Sequence, residues 1–178
     1  MKSIKHFSFA IVLALVTIVS SCSKSDSGGG NSGPATGSFV KANIAGSGFL
    51  SDGQLAVGSY SNGSLVLTGS TTTGKSIGIQ LFTVGGNLTV GTYNLSASQD
   101  ASVLAGGLTF IDINLSTFGS VSYSSVNCEN TNGSVQITFI DATKIEGKFS
   151  FVGKEVKEDE SCNGATKNIT NGTFRLVL

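Results

Sequence analysis

The stretch GSVQITFIDATKIEGKFSF, residues 133–151, decides the fold class of this chain. Apolar and polar side chains alternate on both sides of DATK, so Val135, Ile137 and Phe139 are predicted to face a core. A period of two is typical of a half-buried β-strand, and Asp-Ala-Thr-Lys is a turn sequence. We therefore expect an antiparallel hairpin that turns at residues 141–144.

The same alternation recurs on either side of this hairpin, between turn sequences rich in Gly, Asn and Ser. It is found in VKANI (40–44), SLVLT (64–68), SIGIQLF (76–82) and TFRLVL (173–178), and within the hairpin itself in KFSFV (148–152). Short alternating segments at this spacing predict an all-β domain, either an antiparallel β-sandwich or a partly open β-barrel of roughly 9–10 short strands. The pattern does not choose between these two closures.

An internal repeat is one interpretation of this pattern. GSLVLTGSTTTGKSIGIQL (63–81) aligns with residues 133–151, and the apolar positions of the two stretches coincide. Because hairpins in a chain rich in Gly, Ser and Thr resemble one another, chance similarity is the alternative.

The N-terminal segment MKSIKHFSFAIVLALVTIVSSC (1–22) has the layout of a secretory signal peptide. A basic head precedes an apolar stretch, residues 7–19, that is too short to span a bilayer comfortably. The ending IVSSC, with a small residue directly before a cysteine, resembles the lipobox of bacterial lipoproteins. The resemblance implies that residues 1–21 are removed and that Cys22 becomes an acylated first residue, with palmitate-type chains as a membrane anchor. An ordinary cleaved signal or an uncleaved anchor helix is the alternative.

Residues 22–37 are rich in Ser and Gly and are expected to form a flexible tether behind the lipid. Residues 38–178 then remain for one β-domain with a core of its own. A Cys followed by Ser, Lys and the acidic Asp26 also resembles the export signal of surface lipoproteins in the Bacteroidota. We expect an outer-membrane lipoprotein that faces the periplasm or the cell surface.

Composition excludes several functions. Removal of residues 1–21 takes away the single His and two of the 11 basic residues but none of the 11 acidic ones, so the remaining net charge is about −2. Without His, the mature chain lacks Ser-His-Asp catalysis, Cys-His dyads and His-based zinc sites. The lysines form no basic cluster, so we expect no nucleic-acid partner, and no motif indicates a cofactor.

Cys128 and Cys162 are the other two cysteines, an even pair in an oxidising compartment. The predicted hairpin register puts both near its open end, a few residues from direct opposition. We therefore predict a disulfide between them that ties down the segment after the hairpin. Two reduced, buried thiols are the alternative.

The acidic run EVKEDE, residues 155–160, is a weak calcium candidate through Glu155, Glu158, Asp159 and Glu160, because Ca²⁺ takes several carboxylate ligands. It lacks the alternating Asp/Asn spacing and central Gly of calcium loops, and neighbouring lysines offset its charge. A solvated loop is the favoured interpretation.

Carboxylates suited to glycoside hydrolysis, and aromatic side chains suited to stacking on sugars, are scattered along the chain. The carboxylate candidates are Asp52, Asp100, Asp112, Glu129, Asp141 and Glu146. Asp112, within FIDINL, lies on a strand and is predicted to face outward. The aromatic candidates are Tyr60, Phe82, Phe118 and Tyr123, although the lack of Trp weakens the case for sugar stacking.

Four stretches together, FVKANIAGSGF (39–49), VGTYNL (90–95), residues 133–151 and ITNGTFRL (169–176), resemble a family of uncharacterised Bacteroidota lipoproteins. The resemblance implies an extracytoplasmic β-domain without an established activity, and it brings no catalytic motif. We expect a non-enzymatic binding or structural module with an unidentified glycan or protein partner. The alternative is a polysaccharide hydrolase that uses paired carboxylates.

Overall fold

The structure, a computed structural model, describes residues 33–178, so Cys22 and the predicted signal peptide lie outside the described residues. The described part is a curled antiparallel sheet that forms a half-barrel, which confirms the predicted all-β class. Its strands are β1 (Phe39–Ile44), β2 (Ser47–Leu50), β3 (Ala56–Ser61), β4 (Ser64–Ser70), β5 (Lys75–Thr83), β6 (Gly91–Asn94), β7 (Val103–Asn114), β8 (Gly119–Ser124), β9 (Asn132–Ile140), β10 (Lys144–Glu155) and β11 (Thr166–Val177). Single 3-10 turns occur at Gly53–Leu55 and Val84–Gly86. Within residues 33–178 there is no helix with the length and apolar character needed to cross a membrane.

The strand order around the half-barrel is β2-β1-β11-β10-β8-β7-β5-β4-β3. β10 organises the sheet because it pairs with β11 along one edge and with two strands along the other. On that second edge β9 pairs with residues 145–152 and β8 takes over at Lys154. β6 pairs with the outer edge of β9.

The core lies on the concave face of the sheet, where alternate residues of neighbouring strands meet. On β5, for example, Ile77, Ile79 and Leu81 are fully buried, as the alternation predicts. The largest side chains with almost no exposure are Phe110, Phe151, Phe174, Leu65, Leu67, Ile77, Ile79, Leu81, Leu95, Leu108, Ile137 and Ile145. Burial of this apolar surface is the main stabilising contribution to the fold.

The β9–β10 hairpin turns at residues 141–144 as predicted, but Phe139 does not face the core. Phe139 is 39% exposed, with the Lys144 ammonium 4.8 Å from its ring centroid. The register explains this difference: Phe139 opposes Glu146, whereas Ile137 opposes Gly147, so β9 has one extra residue between them. Such a bulge reverses the alternation, which turns the side chain of Phe139 outward.

The two ends of the strand order, β2 and β3, are consecutive in the chain, and the link between them holds the sheet in its curl. Ser51 continues the pairing with β1, since its N–H donates to Val40 O at 2.9 Å and its Oγ accepts from Val40 N at 3.0 Å. The next residue, Asp52, donates from its N–H to Ser70 O at the end of β4, at 2.9 Å. Two adjacent residues therefore join β1 to β4.

One end of the half-barrel is covered by the segment between β5 and β7. Leu88, Tyr93 and Leu95 of this segment are buried in the core cluster. Leu88 N donates to the hydroxyl of Tyr60 at 3.3 Å, and Thr89 N donates to the hydroxyl of Tyr93 at 3.0 Å. The aromatic hydroxyls thus bond the covering segment to itself and to β3.

The chain enters the domain along the convex face. Nη1 of Arg175, on β11, donates to the carbonyl oxygens of Pro34 and Ala35 at 3.0 and 3.2 Å. The Arg175 guanidinium also lies 5.4 Å from the ring centroid of Phe39, at the start of β1. Residues 34 and 35, predicted to belong to the tether, therefore contact the domain.

A glycine at the crossing of β1 and β4 allows a test of the curl. A Cβ on Gly69 would lie 2.5 Å from Val40 Cβ and 3.0 Å from Ser51 Cβ, and neither of these atoms is the far end of a flexible side chain. We expect Gly69→Ala to lower the free energy of unfolding by about 1–3 kcal/mol, because β1 must move away from β4. Urea denaturation followed by circular dichroism measures the change.

The matched control is Gly48→Ala, in β2, where an added Cβ meets nothing within 4 Å. It should leave stability unchanged or raise it by about 0.5–1 kcal/mol, since alanine restricts the unfolded chain. Equal effects of the two substitutions would contradict the close crossing.

Candidate ligand-binding site

At the end opposite the covering segment, the concave face continues beyond the core into polar side chains. Lys75 is two residues before Ile77 on β5, Asp112 is two residues after Phe110 on β7, and Lys167 is two residues before Ile169 on β11. Residues two apart on a strand share a face, so these side chains lie on the core side of the sheet. We call this end the mouth and define it by Ile44, Ser47, Lys75, Asp112, Tyr123 and Lys167.

Asp112 lies on the concave face, whereas the sequence predicted that it faces outward. In the β5–β7 ladder it is directly opposite Lys75, two residues beyond the pair formed by the buried Ile77 and Phe110. In the β7–β8 ladder it opposes Val121. Because the buried Phe110 lies on the concave face, the next residue, Ile111, lies on the convex face and Asp112 lies on the concave face again.

Two hollows border Asp112 at the mouth. The smaller has a volume of about 210 Å³ and lies between the β1–β2 turn, Lys75, Asp112 and Lys167, with Phe110 in its lining. The larger, about 530 Å³, is more open and runs along the β7–β8 hairpin, past Ser120 and Tyr123. Asp112 lines both hollows and is therefore accessible from either side.

The floor of the mouth is aromatic. The rings of Phe110 and Tyr123 stack with their centroids 5.9 Å apart, and the Lys167 ammonium lies 5.1 Å from the Tyr123 centroid. Burial raises the pKa of the Tyr123 hydroxyl, and the negative charges of Glu155 and Asp112 raise it further. Tyr123 therefore remains a neutral hydrogen-bonding group at physiological pH.

Lys75 and Asp112 face each other without forming an ion pair. Across residues 33–178 the ion pairs within 4.0 Å are Lys144–Glu146, Lys157–Glu155 and Arg175–Glu146. Neither the Lys75 ammonium nor the Asp112 carboxylate has a side-chain hydrogen bond in this part of the chain, although both side chains are half-buried. The mouth thus holds a donor and an acceptor whose hydrogen-bonding capacity is unused.

Two of the predicted carboxylates accept hydrogen bonds from turns, Asp52 from the β4–β5 turn and Asp141 from its own β9–β10 turn. Oδ2 of Asp52 accepts from Thr72 N at 2.6 Å, and this bond lowers the pKa of Asp52. Oδ1 of Asp141 accepts from Thr143 Oγ1 and Lys144 N in the β9–β10 turn, and these bonds, that from Thr143 first, lower its pKa as well.

Two more predicted carboxylates lie elsewhere on the surface. Asp100 accepts from Asn94 N at 3.0 Å in the loop before β7. Glu129 is exposed in the loop between β8 and β9. Of the six predicted carboxylates, Asp112 is the one at the mouth.

Glu146 and Arg175 form an ion pair on the convex face, across β10 and β11. Arg175 Nε donates to Glu146 Oε1 at 2.6 Å, and Lys144 Nζ donates to the same oxygen at 3.1 Å. The bond from Arg175 holds the pKa of Glu146 below its usual value of 4.5. Glu146 therefore anchors the strand to which the entering chain is bound.

In the acidic loop, for which a solvated loop is the favoured interpretation, two of the four carboxylates bond to nearby groups of the chain. Glu155 accepts from Lys157 Nζ at 2.6 Å and from Ala165 N at 2.9 Å, and these bonds lower its pKa. Asp159 accepts from Ser161 N at 3.1 Å, while Glu158 and Glu160 are exposed. Within residues 33–178 no group of three or more His, Cys, Asp or Glu is arranged to hold a metal ion.

The Cys128–Cys162 disulfide is present, as predicted. The two Cα atoms are 5.9 Å apart, and the bridge joins the β8–β9 loop to the β10–β11 loop across a sequence separation of 34 residues. Closure of a loop of this size stabilises a fold by about 3–4 kcal/mol in the chain-entropy model. The bridge fixes the long loop that follows Glu155, close to Tyr123 at the mouth.

The four aromatic candidates have different environments. Tyr123 is buried, Tyr60 and Phe82 are half-buried, and Phe118 is 83% exposed at the tip of the β7–β8 hairpin. Sequence reasoning did not single out Lys75 or Lys167. The signal was the phase of each lysine, because both are two residues before a buried isoleucine on the same strand.

These features define an all-β half-barrel with one covered end and one polar mouth. A family model described as a domain of unknown function (DUF6252) matches residues 37–177, and the chain belongs to this family. No curated protein matches the chain, and no solved structure matches it.

The Glu146–Arg175 pair predicts a pH dependence of stability. Because the folded-state pKa of Glu146 lies below its unfolded value of 4.5, the ionised carboxylate stabilises the fold above that value. The stabilisation is lost as the pH falls through the folded-state pKa. We expect Glu146→Gln to cost about 0.5–1 kcal/mol of unfolding free energy at pH 7 and progressively less as the pH is lowered from 4.5 to 2, as measured by urea denaturation.

The control for this experiment is Glu158→Gln, which removes an exposed carboxylate from the β10–β11 loop. It should leave the unfolding free energy at pH 7 unchanged. A loss from Glu146→Gln that stays constant from pH 7 down to pH 2 would mean that packing, and not charge, is responsible.

Proposed function

We propose that this protein is a lipid-anchored, non-enzymatic binding module on the outer membrane, and that the mouth is its ligand-binding site. The observation that carries the proposal is the pair formed by Lys75 and Asp112, which are half-buried at the mouth and lack side-chain partners within residues 33–178. Neither group is held by another side chain, so a ligand at the mouth can take up their hydrogen bonds without breaking an ion pair.

Binding is favoured over hydrolysis because of the state of the carboxylates. A glycosidase needs a general acid whose pKa is raised, next to a second carboxylate. Glu155, the carboxylate nearest to Tyr123 along β10, has a lowered pKa because Lys157 and Ala165 bond to it. Glu155 is therefore poorly suited to donate a proton, and Asp112 lacks a suitable partner.

Two features support an address outside the cytoplasm. The disulfide is typical of an oxidising compartment, and the segment ending at Cys22 resembles a lipobox. Membership of the Bacteroidota lipoproteins, with attachment to the outer membrane, is part of the same proposal. The partner would be a small molecule or glycan that reaches the mouth from the periplasm or the medium.

The anchor is tested by labelling cells with an alkyne fatty acid. The wild-type chain should incorporate the label and sediment with outer membranes, whereas Cys22→Ala should lose the label, because it removes the acylated thiol. The matched control is the double variant Cys128→Ser, Cys162→Ser, which keeps Cys22 and should still be labelled. Labelling of Cys22→Ala at the wild-type level would rule out the proposed anchor.

The binding role is tested on immobilised polysaccharides with the full chain in detergent. We expect retention on at least one acidic polysaccharide without release of reducing ends, because the mouth offers binding groups but no general acid. Release of reducing ends that Asp112→Asn abolishes would support the hydrolase instead.

A further inference from the structure

We propose that the smaller hollow of the mouth binds one sugar ring that carries a carboxylate, as in a uronic acid. This inference rests on the proposed binding function and specifies its ligand. It follows from the charges, the hydrogen-bonding capacity and the size of the hollow.

The charges call for an anion. Lys75 and Lys167 line the hollow from β5 and β11, two strands that are not neighbours in the sheet. With the single negative charge of Asp112, these two ammonium groups leave the lining of the hollow with a net charge of +1, which favours an anionic ligand. A ligand carboxylate can accept from both.

Asp112 limits the charge of the ligand and requires hydroxyl groups on it. Its carboxylate lines the same hollow and only accepts hydrogen bonds, so the ligand must provide donors. Its negative charge also repels a second negative charge on the ligand, which disfavours a phosphate dianion. One carboxylate together with several hydroxyls meets both requirements.

The volume and the apolar lining fit a single ring. About 210 Å³ is below the range of about 300–1,000 Å³ that is usual for drug-sized ligands. Ile44 and Phe110 provide an apolar surface for the C–H face of a sugar. The larger hollow beyond Asp112 has room for the next ring of an oligosaccharide.

The test is a ligand-observed NMR titration of the full chain in detergent with three probes, sodium glucuronate, glucose and sodium acetate. We expect glucuronate to bind at least about ten-fold more tightly than either of the others, since only glucuronate has both the anion and the hydroxyls. Lys75→Gln and Lys167→Gln should each weaken glucuronate binding by about ten-fold. Thermal melts of the variants verify that they remain folded.

Asp112→Asn separates the role of the hydroxyls from that of the charge. The substitution removes one negative charge, which strengthens the binding of glucuronate and of acetate alike. It also replaces a group that only accepts hydrogen bonds, and of these two ligands only glucuronate has hydroxyls to donate. The ratio of the glucuronate affinity to the acetate affinity should therefore fall by about ten-fold. Lys148→Gln, on the exposed convex face of β10, is the matched control for the lysine variants and should change no affinity.

Three outcomes would overturn the inference: no binding of glucuronate, binding that Lys75→Gln and Lys167→Gln leave unchanged, or acetate binding as tight as glucuronate. If glucuronate fails while another polysaccharide retains the chain, the ligand assignment fails and the binding function stands. Release of reducing ends would overturn the binding function itself, whatever the glucuronate result.

Discussion

The two-residue step from Ser51 to Asp52 is the constraint on which the rest of the half-barrel depends. Ser51 bonds to β1 through backbone and side chain, and Asp52 bonds to the end of β4, so the two ends of one sheet are held together. The absence of a side chain at Gly69 lets Val40 approach β4 at that crossing. Without the step, β2 and β3 would be the separate edges of an open sheet, and the core would lose its enclosure.

The same curl creates the mouth. Because β1 is brought against β4, the β1–β2 turn comes to lie beside Lys75 and Asp112, which belong to strands on the far side of the sheet order. On β5, β7 and β11 the alternation of the core continues for one more step along the concave face. The side chains at that step are the charged Lys75, Asp112 and Lys167. Tyr123 marks the transition, since its ring packs on Phe110 while Lys167 lies over it.

The sequence predicts the strands and the disulfide well because both depend on local information: a period of two, turn residues, and an even pair of cysteines. It does not predict the closure, which depends on a few backbone hydrogen bonds made by Ser51 and Asp52. It also misassigns the faces of Phe139 and Asp112. A bulge at Thr138 reverses the face on which Phe139 lies. In FIDINL the isoleucines on either side of Asp112 suggest that they face the core and that Asp112 faces outward. The buried residues of this strand are instead Leu108 and Phe110, and Asp112 shares their face.

The entry of the chain and the mouth lie at opposite ends of β1. Pro34 and Ala35 are bound by Arg175 beside Phe39, whereas the mouth begins at Ile44, about 17–20 Å further along for a strand of this length. Any support that holds the protein by its N-terminus therefore pulls on the end remote from the mouth. The load then enters at Phe39 and Arg175, about one strand length from Ile44 at the mouth.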